Sequence, residues 1–454
     1  MAALTARAAW YEARVTSRRL RSFLGALVGL ALPSVSHAQN ADSFYYSNEA
    51  ALTAGAMVAV PADDGAGWYN PAGLGTLVRT RLNANGSVFG VRVRPVPAGL
   101  VSSFAGQRSR IDFGGADFVS TPTTASASFT VLPRVTLSGG VYHSANDVRA
   151  ASGLERSTGA DGRTLAQRID TLDHVRKMHM GGAYGIDLGH GLRLGGAMYL
   201  VYSARNTSVD YVVGIDEGVG RREVAAVGVT QGGSAWGLQP TYGVQWDVTR
   251  RLHLGATFRF PELGFASSVK VALSEIAGSG GEPVLVLEET RARTSRFRYT
   301  DPARLFWGVA YDVTRKTRVA VEADVAFALE ADTWGASHKG MARGRAGVLW
   351  RPFDSLHIGV GAFVDPSSAR ELPRTLGAIR VDYAGGTFGV VLRTRIGEKK
   401  GAEAPVVTLA TAVRYAVGVG EARTVTLSDA GETLGSTRVV VHDVMPYLGS
   451  SIAF

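Results

Sequence analysis

The 454-residue chain contains no cysteine, and beyond its first 38 residues no stretch is apolar enough to form a membrane-spanning helix. A chain without cysteine has no disulfide framework, so an exported form of it needs another source of stability. The apolar spacing of amphipathic helices, at i, i+3, i+4 and i+7, is also nearly absent. These absences exclude a disulfide-stapled domain and a helical membrane protein.

Residues 1–38 have the pattern of an export signal. Three arginines precede the apolar run 23–32, and the small residues Ser36 and Ala38 follow at the positions that a signal peptidase reads. The run has about ten residues, too few to cross a hydrocarbon core about 30 Å thick as a helix. We therefore predict a cleaved signal peptide at 1–38.

The charge balance changes once this signal is removed. The formal net charge of the chain is +9, and residues 1–38 carry five arginines and one glutamate, or +4, which leaves +5 for the remainder. Much of the basic excess therefore belongs to the export signal. A nucleic-acid-binding function loses its main support.

Period-two alternation dominates the rest of the chain. In 236–246, aromatic and aliphatic side chains alternate with glycine, glutamine and threonine, and in 319–327 valines alternate with Glu322 and Asp324. Successive side chains of a strand point to opposite faces, so each run has one apolar face and one polar or small face. Long alternating β-strands are predicted.

One hairpin pattern occurs twice, as VQWDVTRRLHLGATF at 244–258 and as VAYDVTRKTRVAVEA at 309–323. An aromatic residue precedes a tight Asp-Val-Thr-Arg turn, and an alternating strand follows. Aspartate suits such a turn because its side chain hydrogen-bonds the local backbone. Aromatic residues precede other short turns too, and the predicted interfacial girdle consists of Tyr184, Trp246, Tyr311, Trp350 and Tyr383.

Strand length and turn length favour a membrane barrel over a soluble sandwich. The strands have about 9 to 13 residues, as a tilted membrane-crossing strand needs, and short turns alternate with long connections. We predict an all-β fold, a transmembrane antiparallel β-barrel, in which closure pairs every strand. The fourteen predicted strands lie at 82–93, 123–131, 135–143, 168–187, 192–205, 234–248, 252–260, 303–312, 317–328, 341–351, 356–364, 374–383, 387–395 and 438–454.

Two parts of this strand map stay open. A further hairpin at 406–430 gives sixteen strands, whereas the fourteen-strand map makes 396–437 an outward excursion, like 95–121, 144–167, 206–233 and 261–302. Pro446 removes a ladder donor from the last strand, which predicts a bulge or a later strand start.

The segment 47–77 shows no sustained alternation. It contains Gly55-Ala-Met-Val-Ala-Val-Pro-Ala-Asp-Asp64 and then Trp68-Tyr-Asn-Pro-Ala-Gly-Leu74. These runs resemble the N-terminal hatch of FadL-type outer-membrane transporters of long-chain fatty acids and aromatic hydrocarbons. The pattern of that family is Gly-Gly-Ala-x-Val-Ala-x-Ala-Asp-Asp, followed by Asn-Pro-Ala-Gly-Leu. Ala54 departs from it where the first glycine is usual, and Pro61 where alanine is usual.

The resemblance implies a domain organisation and a set of site residues. The signal at 1–38 is followed by a hatch at 39–79, which plugs the lumen of a barrel at 80–454. The implied hatch residues are Gly55, Asp63 and Asp64 in the first run and Asn70, Pro71, Ala72 and Gly73 in the second. The final Phe454, with Ile452 two residues before it, resembles the signal by which outer-membrane barrels are recognised by the assembly machinery.

The resemblance also implies a function, passive transport of hydrophobic molecules, with long-chain fatty acids as the expected ligand and no cofactor or metal. The ligand is caught by outer loops, for which 206–233 and 261–302 are candidates, and it leaves sideways into the lipid where the third strand is kinked. Gly139 and Gly140 are the candidate kink, since glycines weaken a strand. The expected location is the bacterial outer membrane.

Other functions remain as alternatives. A general diffusion porin is one, with Arg318 and Glu322 lining an open pore. An outer-membrane lipid hydrolase is another, with His253 or His357 as the base, although no serine stands out. The pair His174 and His179 is five residues apart on an alternating strand, which argues against a shared metal. The Ser-x-x-Lys spacing at 267–270 lacks its partner motifs.

Overall fold

The structure is a computed structural model of the chain, and it describes residues 44–60, 65–104, 107–159, 162–216, 222–279, 282–295, 298–299, 301–330, 338–372, 378–396, 404–428 and 431–454. The predicted signal peptide, 1–38, lies outside the described residues.

Short helices precede a long series of strands. They are α1 (Asn48–Leu52), α2 (Ala66–Tyr69) and one 3-10 helix, η1 (Pro71–Thr76). None of the helices in the described part of the chain is long and apolar enough to cross a membrane. The strands are β1 (Arg81–Val93), β2 (Val96–Phe104), β3 (Gln107–Phe113), β4 (Ala116–Leu132), β5 (Val135–Thr158), β6 (Thr164–Gly189), β7 (Leu192–Asp216), β8 (Arg222–Asp247), β9 (Leu252–Arg259), β10 (Leu263–Ser279), β11 (Glu282–Ser295), β12 (Arg298–Tyr299), β13 (Arg304–Asp312), β14 (Thr317–Ala326), β15 (Met341–Phe353), β16 (Leu356–Asp365), β17 (Ile379–Arg395), β18 (Val406–Ser428) and β19 (Gly431–Ala453).

Fourteen of these strands close into an antiparallel barrel, which confirms the predicted fold class. The order around the ring is β1, β4, β5, β6, β7, β8, β9, β13, β14, β15, β16, β17, β18 and β19, and β19 pairs with β1 to close it. Closure satisfies the backbone groups of every barrel strand without an exposed edge, which accounts for stability in the absence of disulfides.

The count of fourteen is right, but two errors in the strand map compensate for each other. The predicted strands 374–383 and 387–395 are one strand, β17, and β18 fills part of the supposed excursion 396–437. Gly385 and Gly386 resemble a turn, yet both pair with β16 and β18. Glycine is needed inside this strand because a Cβ on Gly385 would lie 2.2 Å from the Tyr415 carbonyl oxygen.

The two rims of the barrel differ. One rim, which we call the short-turn rim, carries residues 80 and 454 and the short connections 133–134, 190–191, 248–251, 313–316 and 354–355. At the opposite rim the strands are long, and β6 and β8 have 26 residues each. About 9 to 11 residues cross a bilayer. The remainder of these strands therefore extends beyond it.

The barrel exterior confirms the alternating pattern. Tyr184, Trp246, Tyr311 and Trp350 point outward next to the short-turn rim and are 43 to 48% exposed. Tyr383 is different, because it is 8% exposed and packs in the interior. The prediction that Tyr383 belongs to the girdle is wrong, since no turn follows it.

The last strand accommodates its proline with a register shift on one side. Pro446 pairs with Val413 in an unbroken ladder between β18 and β19. On the other side, the ladder between β1 and β19 shifts between Gly86 and Val91, facing Leu448 and Val444. The predicted irregularity near Pro446 is therefore present on the β1 side.

The remaining strands lie at the rim opposite the short turns. Hairpin β2–β3 crosses the mouth, and β2 pairs in parallel with β18 from Leu100 to Ser103. Hairpin β10–β11 extends the sheet beyond β8. The predicted excursions 95–121, 206–233 and 261–302 are thus largely strands.

Candidate functional site

The described part of the predicted hatch is 44–60 and 65–79, and most of it lies inside the barrel. Its residues from 44 to 60 are all buried, and so are those from 65 to 74. The connection to β1 is short, since η1 ends at Thr76 and β1 begins at Arg81. The carbonyl oxygen of Leu77 accepts hydrogen bonds from the hydroxyls of Thr130 and Thr136, both 3.3 Å long. This end of the hatch is fixed to the wall.

Asn70 joins two parts of the hatch to the barrel. Its Nδ2 donates to the carbonyl oxygens of Val58 at 2.8 Å and Val244 at 2.9 Å. Its Oδ1 accepts from the backbone N–H of Ala72 at 3.1 Å and so caps η1, with Pro71 in the first turn of that helix. Proline fits there because the first helical N–H has no partner within the helix. The predicted motif is therefore a capped turn that also contacts the wall.

The motif is seated on glycines of three adjacent strands. A Cβ on Gly195 of β7 would lie 2.3 Å from the Pro71 carbonyl carbon, and one on Gly243 of β8 would lie 2.0 Å from the Asn70 Oδ1. On β6, a Cβ on Gly185 would meet the Pro71 oxygen at 2.6 Å. No side chain fits between the hatch and these strands.

The same close approach continues around the wall. A Cβ on Gly255 would lie 2.1 Å from the Val58 oxygen, and one on Gly361 would lie 2.5 Å from the Ala54 nitrogen. We call the inward glycines that touch the hatch the glycine socket, and they are Gly185, Gly195, Gly243, Gly255, Gly308, Gly347, Gly359, Gly361 and Gly449. The sequence shows glycines on the small faces of these strands, but not what lies against them.

The first hatch run is only partly described. Gly55 has φ +84° and Ala54 has φ +52°, so both adopt the left-handed region that favours glycine. This conformation gives a physical reason for the family preference for glycine at position 54, where this chain has alanine. Asp63 and Asp64 lie outside the described residues. The backbone N–H of Gly73, in the second run, donates to the Asn70 carbonyl oxygen at 2.9 Å.

A small cavity lies between the hatch and the wall. Its volume is about 20 Å³, room for about one water molecule. Aromatic rings, two arginines and one aspartate line it, among them Tyr46, Trp68, Phe306, Arg259, Arg345 and Asp365. A larger ligand therefore requires the hatch to shift.

The two arginines of the cavity are held differently. The guanidinium of Arg259 lies 4.3 Å from the ring centroid of Trp68 and 5.4 Å from that of Phe306, and it donates to the Trp68 carbonyl oxygen. Arg345 forms an ion pair with Glu322 at 3.2 Å. Arginine can stack its guanidinium plane on aromatic faces while its N–H groups lie in that plane.

Glu322 on β14 connects the wall with the hatch backbone. Its Oε2 accepts the N–H groups of Met57 and Val58, each at 2.9 Å, while its Oε1 faces Arg345. The sequence places Glu322 on the inward polar face but gives no sign of this contact, since its partners are 264 and 265 positions away in the chain. In the porin interpretation this residue lines an open pore, whereas here it binds the hatch.

Helix α1 carries a second acidic contact, Glu49. Its carboxylate lies 3.1 Å from Arg393, 3.5 Å from Arg351 and 3.6 Å from His357. Burial raises the pKa of Glu49, but the nearby Arg351, His357 and Arg393 outweigh it and hold this pKa well below its usual range. Glu49 is therefore charged at neutral pH and ties α1 to β15, β16 and β17.

Three further histidines have defined partners. His253 lies between the aspartates of the two repeated turns, 2.6 Å from Asp247 and 3.1 Å from Asp312. His174 contacts Asn146 at 3.0 Å and His179 contacts Gln239 at 3.2 Å, so the two do not share a site. In the described ranges no group of three or more metal-ligating side chains comes together.

Part of the interior between the cavity and the mouth is an apolar cluster. Residues of β2 and β3 pack against the inward faces of β6, β7 and β8 on one side and of β17, β18 and β19 on the other. We call this set the apolar cap, and it includes Val96, Leu100, Ile111, Phe113, Ile169, Tyr211, Val213, Val227, Val229, Val381, Tyr383, Val425 and Val441. Ala54 and Phe363 belong to the same cluster, so it is continuous from the mouth to the hatch.

Gly139 and Gly140 lie on β5, the third strand of the ring, and both pair with β4 and β6. The register shift in the ladder between β5 and β6 is between His143 and Ala145. Outside Gly139, an open groove of about 590 Å³ runs along the lipid-facing wall. Small side chains line much of it, among them Ala84, Ala125, Ala127 and Ser450.

Comparison with known proteins agrees with this architecture. No model of a known protein family matches the sequence, and no curated protein sequence matches it either. A FadL homologue of Pseudomonas aeruginosa superposes with a TM-score of 0.57 at 10% identity, over 91% of this chain and 99% of that one. The chain has the fold of the FadL-type transporters.

Two toluene transporters have this FadL-type fold as well. The TbuX protein of Ralstonia pickettii has a TM-score of 0.54 at 13% identity and covers 90% of this chain and 98% of its own. The TodX protein of Pseudomonas putida has the same score at 14% identity, with the same coverage. The resemblance seen in the hatch residues is thus confirmed as a likeness of fold.

Proposed function

We propose that this chain is a bacterial outer-membrane transporter of hydrophobic molecules and that long-chain carboxylic acids are its substrates. The proposal depends on the cavity beside the hatch, where Arg259 and Arg345 meet a cluster of aromatic rings. In this proposal the protein is not an enzyme and needs no cofactor, because transport is passive diffusion through a barrel that the hatch closes.

The arginines favour an acid over a neutral hydrocarbon. A guanidinium offers planar paired donors that match a carboxylate, and charge-assisted hydrogen bonds of this kind are roughly twice as strong as neutral ones. Trp68 and Phe306 provide apolar faces next to the same donors. A ligand with an acidic head and an apolar tail would use both features.

The apolar cap and the outer groove suit the path of such a ligand. Burying a methylene group contributes about 0.8 kcal/mol, so a route along apolar surface is better than an aqueous pore. The cap reaches from the mouth down to Ala54 and Phe363 beside the cavity. The groove outside Gly139 opens toward the lipid, and in this proposal the ligand leaves there after a change at Gly139 and Gly140.

Monoaromatic hydrocarbons are a second candidate substrate. The specific observation in favour of them is the ring cluster around Trp68, with Tyr142 stacked at 5.1 Å and Tyr46 at 4.6 Å between centroids. Two of the proteins with a similar fold are described as toluene transporters. A general porin is disfavoured by the buried hatch.

Transport by the purified protein in liposomes tests the proposal. A radiolabelled long-chain fatty acid, donated from a binding protein, is compared with toluene and with a small sugar, and liposomes carrying heat-inactivated protein are the control. We expect the initial rate of the acid to rise without sugar leak. Acceleration of toluene alone would favour the second candidate, and sugar leak without any gain for the acid would contradict a hatch-gated transporter.

A further inference from the structure

Hairpin β2–β3 supplies the part of the apolar cap that belongs to neither the closed ring nor the hatch. Its side chains Leu100 and Ile111 are 1% and 3% exposed, and Val425 and Leu427 of the wall are both 0% exposed. A ligand that comes from the mouth therefore meets packed side chains. We propose that hairpin β2–β3 is a gate at the mouth, which opens by separating from β18 and admits the ligand to the lumen. This inference rests on the proposed function, because it assumes that a hydrophobic ligand enters there.

The contacts that hold the hairpin closed are few compared with those of the ring. The parallel ladder between β2 and β18 covers only Leu100 to Ser103, whereas the ladder between β18 and β19 runs along the whole of both strands. On the side of β6 and β7, the Gln167 amide donates to the Ser102 hydroxyl, and the Tyr211 hydroxyl donates to the Gln167 oxygen at 2.8 Å. All these contacts can separate without breaking any strand pair of the ring.

Ala98 marks the hinge of this gate. Its φ is +51°, in the left-handed region that favours glycine, and the ladder between β2 and β3 shifts its register around it. The Asp112 carboxylate accepts the Ala98 N–H at 2.6 Å and holds this bend. The base of the hairpin is closed by the Arg94 N–H, which donates to the Gly115 carbonyl oxygen at 3.1 Å. The bend thus lies between a fixed base and the segment that pairs with β18, where a hinge must absorb a backbone change.

The absence of cysteine from the chain allows the gate to be locked. Val101 of β2 lies opposite Thr426 of β18, and neither belongs to the apolar cap. Paired strands are about 5 Å apart, within the range that a disulfide spans. Oxidation of the double variant Val101→Cys/Thr426→Cys with diamide should lower the initial uptake of a radiolabelled long-chain fatty acid into liposomes about ten-fold, because a locked lid excludes the ligand. A reductant should restore uptake.

The double variant Thr158→Cys/Thr164→Cys is the matched control. These two threonines face each other at the end of the ladder between β5 and β6, and their hydroxyl oxygens are 3.2 Å apart. The disulfide joins two strands of the ring and leaves hairpin β2–β3 free. Oxidation of this variant should therefore change uptake less than about two-fold.

Hydrogen exchange tests the gate without any ligand. The amides of β2 and β3 should exchange faster than those of β18 and β19, because the hairpin opens while the ring stays closed. The disulfide between positions 101 and 426 should slow exchange in β2 and β3 about ten-fold. Exchange that is as slow in the hairpin as in the wall, and unchanged by the disulfide, would overturn the gate whatever the substrate is.

Two serines of the hairpin test the contact with Gln167. Ser102 and Ser109 lie opposite each other in the ladder between β2 and β3 and are 1% and 3% exposed. Ser102 accepts the bond from Gln167, whereas the Ser109 hydroxyl has no hydrogen-bond partner in the described part of the chain. Ser102→Ala should therefore speed exchange in β2 and β3 about five-fold, and Ser109→Ala should leave it unchanged. Equal rates in the two variants would contradict a role of Gln167 in closing the gate.

The possible results separate this inference from the proposed function. If the parent protein carries the acid, equal uptake by the oxidised and the reduced form of Val101→Cys/Thr426→Cys overturns the gate alone. If the parent does not accelerate the acid, the proposed function is contradicted, and the exchange rates of β2 and β3 still decide whether the hairpin opens.

Discussion

The lower and upper parts of the lumen differ although the same strand faces line both. On the inward face of β8, the hatch-facing part carries Gln239, Thr241 and Gln245, and the part near the mouth carries Val227 and Val229. The ladder between β7 and β8 keeps one register throughout, so this change of chemistry occurs without a change of face. The polar part holds a segment of chain by hydrogen bonds, and the apolar part forms a packed cap.

The two parts of the lumen hold their contents by different interactions. Hydrogen bonds such as Gln245 to the Ala59 oxygen are directional, and the glycine socket brings backbone against backbone. Apolar packing has no preferred direction and tolerates changes of similar volume. In the lower part, adding or removing one atom should therefore strongly disturb the fit between the hatch and the wall. In the upper part, a change of similar size should disturb the packing of the apolar cap only gradually.

The largest effect is expected for Gly195→Ala. The added methyl group would lie 2.3 Å from the Pro71 carbon and 2.4 Å from the Ala72 nitrogen, and since both are backbone atoms, the hatch must leave its seat. We expect sugar leak into liposomes to rise about ten-fold, in line with the cost of overpacking. Gly344→Ala is the control, because its methyl group meets Val364 at an ordinary 3.7 Å. Equal leak in both variants would contradict the socket.

A smaller effect is expected for Asn70→Ala. The change removes two donated bonds and one accepted bond, each contributing about 1 kcal/mol, so the seating of the hatch weakens while the barrel still forms. Initial fatty-acid uptake should fall several-fold, and heat-modifiable migration should be unchanged. Uptake at the full rate would mean that the motif is only a turn, and loss of assembly would mean that it is needed for folding.

In the upper part, Leu100→Ala should loosen hairpin β2–β3 without opening the hatch. Leu100 is 1% exposed within the apolar cap, and truncation of such a side chain costs about 2 to 4 kcal/mol. Hydrogen exchange should become faster in β2 and β3, with sugar leak unchanged. Val101→Ala, next to it and half-buried, is the control and should have little effect. A sugar leak in Leu100→Ala would show that the two parts are not independent.

The smallest effect at neutral pH concerns Glu49, and it depends on acidity. Because the folded-state pKa of Glu49 is lowered, by neighbouring cations that outweigh burial, its contribution is present above the ordinary value of 4.5 and disappears as the pH falls through the lowered value. Parent protein should therefore melt at a higher temperature than Glu49→Gln at pH 7, and this difference should shrink in acid below about pH 4.5. A difference that is independent of pH would exclude a charge effect.

The sequence predicts the exterior of this molecule better than its interior. Alternation and tight turns give the barrel and the girdle residues Tyr184, Trp246, Tyr311 and Trp350, because these depend on local pattern and on contact with lipid. The number of strands is right only because one strand that is divided in two offsets one that is missed. The turn predicted at Gly385 and Gly386 is wrong for a physical reason. Glycine is required both where a chain reverses and where another chain comes very close, and a sequence does not separate the two.

The candidate site is predicted only where its residues are consecutive. The run from Asn70 to Gly73 is recognisable because capping chemistry is local. The Glu322 contact with Met57 and Val58, and the Arg259 contact with Trp68, join residues that are far apart in the chain. Such contacts depend on which strands the closed ring brings opposite the hatch, and no local pattern contains that information.

The short connection between the hatch and β1 has a consequence for the speed of gating. Residues 77 to 80 separate η1 from β1, and four residues reach at most about 14 Å when fully extended. A segment tethered by so short a connection stays near its binding position on the wall even when it is detached, at an effective concentration on the order of millimolar. In the proposed transport, the hatch therefore recloses by a local, unimolecular step after each passage.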